Sequence, residues 1–177
     1  KNGIRNITDL ENIYNAYVSD PDLRAAYKEI RDQWDLTSVG RPSPDFKGQD
    51  INGKTLSLKD FNGKYLYIDV WATWCGPCKK EIPFLKELEK KFEGKNITFL
   101  SLSTDQDKTA WENMVKSGEL SGTQLLIGRG SQFQKDYNIN GIPHFILLDP
   151  EGKIVNASMI RPSSPDIEKV LNALPGI

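Results

Sequence analysis

The chain contains two cysteines, and both fall in one motif, Cys75-Gly76-Pro77-Cys78. An apolar stretch precedes them and a strongly helical segment follows, which sets Cys75 at a helix N-terminus. There the unpaired N–H groups and the helix dipole favour a thiolate. The thiolate is the attacking species in thiol–disulfide exchange, so Cys75 reads as the nucleophile and Cys78 as the resolving thiol. Two intervening residues let the sulfurs bridge across one helical turn. Pro77 fixes φ in the first turn, and Gly76 permits a tight approach.

Competing uses of the pair fit less well. A zinc site needs four ligands, and the chain offers two thiols and a single histidine, His144. Haem attachment needs a His directly after Cys78, where Lys79 stands. A purely structural bridge would close a very short loop and add little stability.

The 177 residues suffice for one domain with an appendage, and 38% hydrophobic with 27% charged residues describes a globular chain with material for a core. The net charge of −1 gives no global reason to expect nucleic acid or an anionic membrane surface as a partner. Lysines 79, 80, 86, 90 and 91 interleave with Glu81, Glu87, Glu89 and Glu93, the pattern of a solvated helix face. No run approaches the roughly 18 apolar residues of a membrane span. The chain starts at Lys1 without a signal segment, so any export signal or lipid anchor is expected to lie outside it.

The elements that position the motif alternate strand and helix. Thr55 to Leu58 reads as a short strand and Tyr65 to Trp71 as a buried central one. Lys79 to Phe92 is helical, with Ile82, Leu85, Leu88 and Phe92 on one face, and Pro83 is expected to kink it. Ile97 to Leu102 and Gln124 to Ile127 read as strands, Asp107 to Lys116 and Gly130 to Tyr137 as helices. His144 to Leu148 and Lys153 to Ala157 form a hairpin across Asp149-Pro150-Glu151-Gly152. A last helix is predicted to open at Ser164-Pro165 and to bury Ile167, Val170, Leu171 and Leu174. Ahead of this α/β part, Thr8 and Glu11 have capping-box spacing and Asp20-Pro21 opens a second helix. Its stripe of Leu23, Tyr27, Ile30 and Trp34 is expected to pack on the main domain or on a missing upstream domain, with a partner or dimer surface as the alternative.

Two residues near the motif carry possible proton chemistry. Asp69 sits between Ile68 and Val70 inside the central strand, where a carboxylate is costly without a role or a partner. Glu81 follows Cys78 by three residues and shares its side of the helix.

The stretch from Val70 to Cys78, Val-Trp-Ala-Thr-Trp-Cys-Gly-Pro-Cys, resembles the active-site signature of the thioredoxin superfamily. Its continuation, Cys78-Lys79-Lys80-Glu81-Ile82-Pro83, is similar to the TlpA/ResA-like branch of exported, membrane-tethered thiol reductases. Gly141-Ile142-Pro143, followed by an apolar strand and Asp149-Pro150-Glu151-Gly152, resembles the second landmark of the superfamily. The resemblance implies a thioredoxin fold, a central mixed sheet flanked by helices, over residues 39–177, behind a helical extension over 1–38. It implies a cis bond before Pro143, with an extended edge at Ile142-Pro143 that pairs with the substrate peptide. It makes Asp69 the proton acceptor for Cys78, with a pKa raised by burial, and Glu81 a residue that tunes the dithiol. Trp74, beside Gly76 and Pro77, becomes a flat surface for substrate, while Trp71 is expected in the core and His144 in a structural role.

The activity so implied is reduction of disulfides in protein substrates. The cofactor is none beyond the redox-active Cys75–Cys78 disulfide, no metal takes part, and electrons come from a membrane-embedded thiol donor. The location implied is extracytoplasmic, periplasmic, with any membrane anchor outside this chain. Two alternatives share the fold. A thiol peroxidase places a Thr three positions before its reactive Cys, where this chain has Ala72. Copper carriers space their cysteines one residue wider than Cys75 and Cys78.

Overall fold

The computed structural model describes residues 8–177. Its centre is a seven-stranded sheet in the order β2-β1-β5-β4-β3-β6-β7. The strands are β1 (Lys47–Gln49), β2 (Thr55–Ser57), β3 (Tyr65–Trp71), β4 (Ile97–Ser103), β5 (Thr123–Leu126), β6 (His144–Leu148) and β7 (Ile154–Asn156). The helices are α1 (Thr8–Tyr17), α2 (Pro21–Leu36), α3 (Gly76–Lys91), α4 (Lys108–Lys116), α5 (Gln132–Asp136) and α6 (Ile167–Asn172).

All seven residues of β3 are buried, as a continuous apolar run between two layers requires. Side chains alternate across a strand, so Leu66, Ile68 and Val70 face a layer with Leu100, Leu102, Ile146 and Phe133. Tyr65 and Tyr67 face the opposite layer, against Leu85, Leu88 and Phe92 at α3 and Ile167 and Leu171 of α6. By the same alternation Asp69 points toward α3. The α3 crossover makes β3 and β4 parallel, whereas β6 returns antiparallel and sets Val70 opposite His144. This register brings the end of β3 and the start of β6 to one rim of the sheet.

Several elements differ from the sequence expectation. Helix α3 starts at Gly76, earlier than Lys79, with Cys75 as its N-cap and Pro83 inside it. Strand β1 has no apolar pattern of its own and exists through antiparallel pairing with β2 and β5. Helix α6 starts later than Ser164-Pro165 suggests. The Ile167 N–H closes a tight turn onto the Ser164 carbonyl at 3.2 Å, and the Ser164 hydroxyl accepts the Asp166 N–H at 3.4 Å. Val170 is exposed, while Ile167 and Leu171 are buried.

Helices α1 and α2 pack on each other. Tyr14 stacks on Tyr27 at 4.1 Å, and Arg31 pairs with Glu11 at 2.8 Å. The Thr8 side chain of the expected Thr8–Glu11 cap lies outside the described residues, whereas Asp20 caps α2 by accepting from Asp22 and Leu23. The apolar stripe does not enter the core: Leu23, Ile30 and Trp34 are exposed, and Gln33 donates to the Lys135 carbonyl at 2.8 Å. A 16-residue helix can hold its stripe toward solvent when its partner is one short helix rather than the sheet. Among the described residues no helix is long and apolar enough to cross a membrane.

Candidate active site

Strand β3 ends at Trp71, and Ala72 to Trp74 turn the chain into α3. The turn is pinned from β4. The Asp105 carboxylate accepts the Thr73 N–H at 3.0 Å, the Thr73 hydroxyl at 2.7 Å and the Ser103 hydroxyl at 2.7 Å. The Thr104 N–H donates to the Trp71 carbonyl at 2.9 Å. Sequence reasoning missed Asp105, because a polar residue just past a strand looks like any loop aspartate until its partners are known.

From this turn Cys75 enters as the residue that caps α3, and its Sγ accepts the Cys78 N–H at 3.2 Å. The two sulfurs form a disulfide with Cα atoms 5.2 Å apart. Both cysteines are 4% exposed, so exposure does not distinguish them. Position does: a thiolate at Cys75 faces the amide donors of the first turn. A Cβ at Gly76 would meet no atom within 4 Å. The absent side chain therefore leaves the surface beside the disulfide open, rather than admitting a close contact from within the fold.

Asp69 is 8% exposed, and its Oδ1 has no hydrogen-bond partner. Burial pushes its pKa up to about 8, with the charges of Glu81 and Glu89 adding to the rise. Asp69 and Cys78 line the same narrow cavity beneath α3. Glu81 is 5% exposed and so does not lie on a solvated face. Its carboxylate accepts the Ser163 N–H and the Ser163 hydroxyl, each at 2.9 Å, with Arg161 at 3.5 Å. Those donors, which compensate its burial, come from the segment before α6, and nothing near Glu81 in sequence signals them.

On the facing side, the Ile142–Pro143 bond is cis. Ile142 is half-buried and packs against the cluster of Trp71, Ala72, Cys75, Cys78 and Trp111. Trp71 is in the core, whereas Trp74 is 63% exposed. Trp74, Thr104, Asn140, Gly141 and Ile142 line an open groove of about 760 Å3, whose far end reaches Gln33 of α2. His144 Nε2 lies 2.8 Å from the Ala157 carbonyl, and burial lowers its pKa. That contact ties β6 to the turn after β7. Among the described residues no group of three or more His, Cys, Asp and Glu side chains is gathered as a metal site would need.

Residues 38–174 match the family described as Redoxin. The chain is 32% identical over 136 residues to the thiol-disulfide oxidoreductase ResA of Bacillus thuringiensis subsp. konkukian, covering 77% of this chain and 78% of that protein. A Bacteroides vulgatus chain described as a thiol-disulfide oxidoreductase is 58% identical, with a TM-score of 0.68 over 75% of this chain and 88% of its own. The thioredoxin domain of another thiol-disulfide oxidoreductase from Bacteroides vulgatus is 34% identical, with a TM-score of 0.68 over 76% of this chain and 96% of its own.

Proposed function

The chain belongs to the Redoxin family, in its TlpA/ResA-like thioredoxin branch, and is a thiol-disulfide oxidoreductase; from that premise we propose that it runs in the reducing direction on protein disulfides. The observation that carries this is the Cys75–Cys78 pair at the start of α3 beside the Ile142-Pro143 edge.

The Cys75 thiolate attacks one sulfur of a substrate disulfide and expels the other as a thiolate, leaving Cys75 bonded to substrate. Cys78 loses its proton to Asp69, attacks Cys75 Sγ and releases the second substrate thiol. Two electrons have then moved to the substrate and the enzyme disulfide is closed. An incoming dithiol reopens it. Trp74 and the Ile142-Pro143 backbone form the substrate surface, with Gly76 and Pro77 beside the sulfurs. Glu81 contributes charge that holds Asp69 in its proton-accepting range.

The proposed setting is extracytoplasmic, with a membrane-embedded thiol donor supplying electrons and residues 39–177 as the catalytic unit. The open groove beside the dithiol supports protein substrates.

The test is a redox titration of the Cys75/Cys78 couple combined with trapping by Cys78→Ser. A strongly reducing potential, with a substrate-linked species retained at Cys75, supports the reductase. An oxidising potential overturns the direction, and absence of any trapped species overturns the dithiol mechanism.

A further inference from the structure

Behind the disulfide, polar atoms converge on one space without meeting. Asp69 Oδ1, Trp71 Nε1 and Gln124 Oε1 are buried and have no hydrogen-bond partner. Their residues line the cavity beneath α3 together with Cys78, Lys86 and Ser121. It offers about 10 Å3 to the centre of a water molecule, room for one. The Gln124 amide nitrogen donates to the Ser121 carbonyl at 2.6 Å, which turns Oε1 away as an acceptor. An indole N–H can only donate, and a carboxylate oxygen accepts. A single water that accepts from Trp71 and donates to Asp69 and Gln124 satisfies all three.

The space also has a way out. Glu89, further along α3, is half-buried; its Oε1 and the Ser121 Oγ are likewise buried without a hydrogen-bond partner, and they stand on neighbouring sides of the Ser121-Gly122 step. The carboxyl rests so close to Gly122 that a Cβ there would come within 2.6 Å of Glu89 Oε1. Burial raises the Glu89 pKa, while Ser121 and Lys86 work against that rise. Asp69 therefore faces Cys78, Glu81, Lys86 and Glu89 from α3, with Tyr67 on its own strand.

We infer that a water held by Trp71, Asp69 and Gln124 links the buried acid through the Ser121 hydroxyl to the Glu89 carboxylate, forming the proton route of the dithiol. The inference rests on Asp69 receiving the Cys78 proton as proposed above. Once Asp69 is protonated it donates to the water, which then accepts from Asp69 and Trp71, keeps its bond to Gln124 Oε1 and turns its other hydrogen to Ser121 Oγ. As Asp69 gives up its proton to the water, the water passes that hydrogen to Ser121. The Ser121 proton moves on to Glu89 and from there to solvent. Every donor is restored, and one proton leaves for each one that Asp69 accepts. The same line runs inward when an incoming thiolate opens the disulfide and Cys78 leaves as an anion.

Rapid mixing of the reduced protein with a disulfide peptide separates attack by Cys75 from resolution by Cys78. In Glu89→Gln and in Ser121→Ala, attack is expected at the wild-type rate and resolution about tenfold slower. Imidazole or azide, as mobile proton carriers, should restore resolution in proportion to concentration. Thermal unfolding confirms that each variant is folded. Unchanged resolution in both variants, or slowing that neither carrier relieves, overturns the route. A crystal structure at high resolution should show one oxygen within about 3.2 Å of Trp71 Nε1, Asp69 Oδ1 and Gln124 Oε1; an empty site overturns the water. If Asp69→Asn itself leaves resolution at the wild-type rate, the proposed role of Asp69 fails, a result distinct from failure of the route alone.

Discussion

Ser163 grips Glu81 with both of its donors, its N–H on one carboxylate oxygen and its hydroxyl on the other, each at 2.9 Å. Asp69 has no such partner at Oδ1. Two buried acids near one dithiol thus receive opposite treatment. One is provided with donors that compensate a charge, and the other is left where burial favours the protonated form. In the mechanism proposed above, that contrast divides their tasks, with Asp69 moving the proton and Glu81 setting the field it moves in.

Asp69→Asn should lower turnover about 100-fold at neutral pH, because it removes the acceptor for the Cys78 proton. Attack by Cys75 should be nearly unaffected. Reduction of a protein disulfide, followed through both steps by rapid mixing, checks this; equal loss in the two steps would contradict it.

The same substitution should stabilise the oxidised protein in a defined pH window. The Asp69 pKa is raised from 3.8 to about 8, so the native state holds a proton that the unfolded chain has released. Stability from this group is complete below about pH 4 and is lost as pH rises toward 8. Asp69→Asn removes that loss. Its advantage should be small at pH 4 and grow to roughly 5 kcal/mol at pH 8. Denaturant midpoints at pH 4, 6 and 8 measure it, and a constant difference across the three would contradict the assignment.

Glu81→Gln removes a negative charge that raises the Asp69 pKa. The Asp69 titration should move down from about 8, visible in the carboxyl stretch of the infrared spectrum. Ser163→Ala removes one of the donors to Glu81 and should cost about 1–3 kcal/mol of stability.

Trp74→Ala should change stability by less than about 0.5 kcal/mol, since the ring is largely exposed. It should raise KM for protein substrates about tenfold, by the loss of one aromatic contact. Small disulfides such as oxidised glutathione should react at the wild-type rate. A loss shared equally by large and small substrates would place Trp74 outside the substrate surface.

Asp105→Ala leaves the Thr73 N–H, the Thr73 hydroxyl and the Ser103 hydroxyl without their acceptor. A cost of about 2–4 kcal/mol is expected from orphaned donors in a buried site. The disulfide should also become easier to reduce or oxidise out of register with wild type, because the turn that delivers Cys75 loosens. The midpoint potential and the thermal unfolding temperature report the two effects separately.

The centre of this site was legible because its signals are local. Two cysteines between a strand and a helix need no partner to be noticed, and Asp69 stands out as the one charge in an apolar strand. Asp105, Arg161, Ser163 and Gln124 were not legible. Each is an ordinary polar residue in sequence, and each takes its meaning from a partner that only the sheet brings near. The same reason hid β1, where Lys47-Gly48-Gln49 becomes a strand only by pairing, with Gly48 pressed against Leu125. The stripe on α2 shows what spacing leaves open. Helical spacing reports one apolar face, and the face here turns outward.

The pairing of Val70 with His144 has a consequence for the order in which the chain assembles its site. The dithiol is translated well before the strand that carries its facing edge, and the Val70–His144 pairing that joins their strands spans 74 residues, a non-local contact of the slow kind. Until β6 emerges and inserts beside β3, the nascent chain holds reactive thiols without the surface that presents substrates to them. The substrate surface is therefore complete only once β6 has closed against β3.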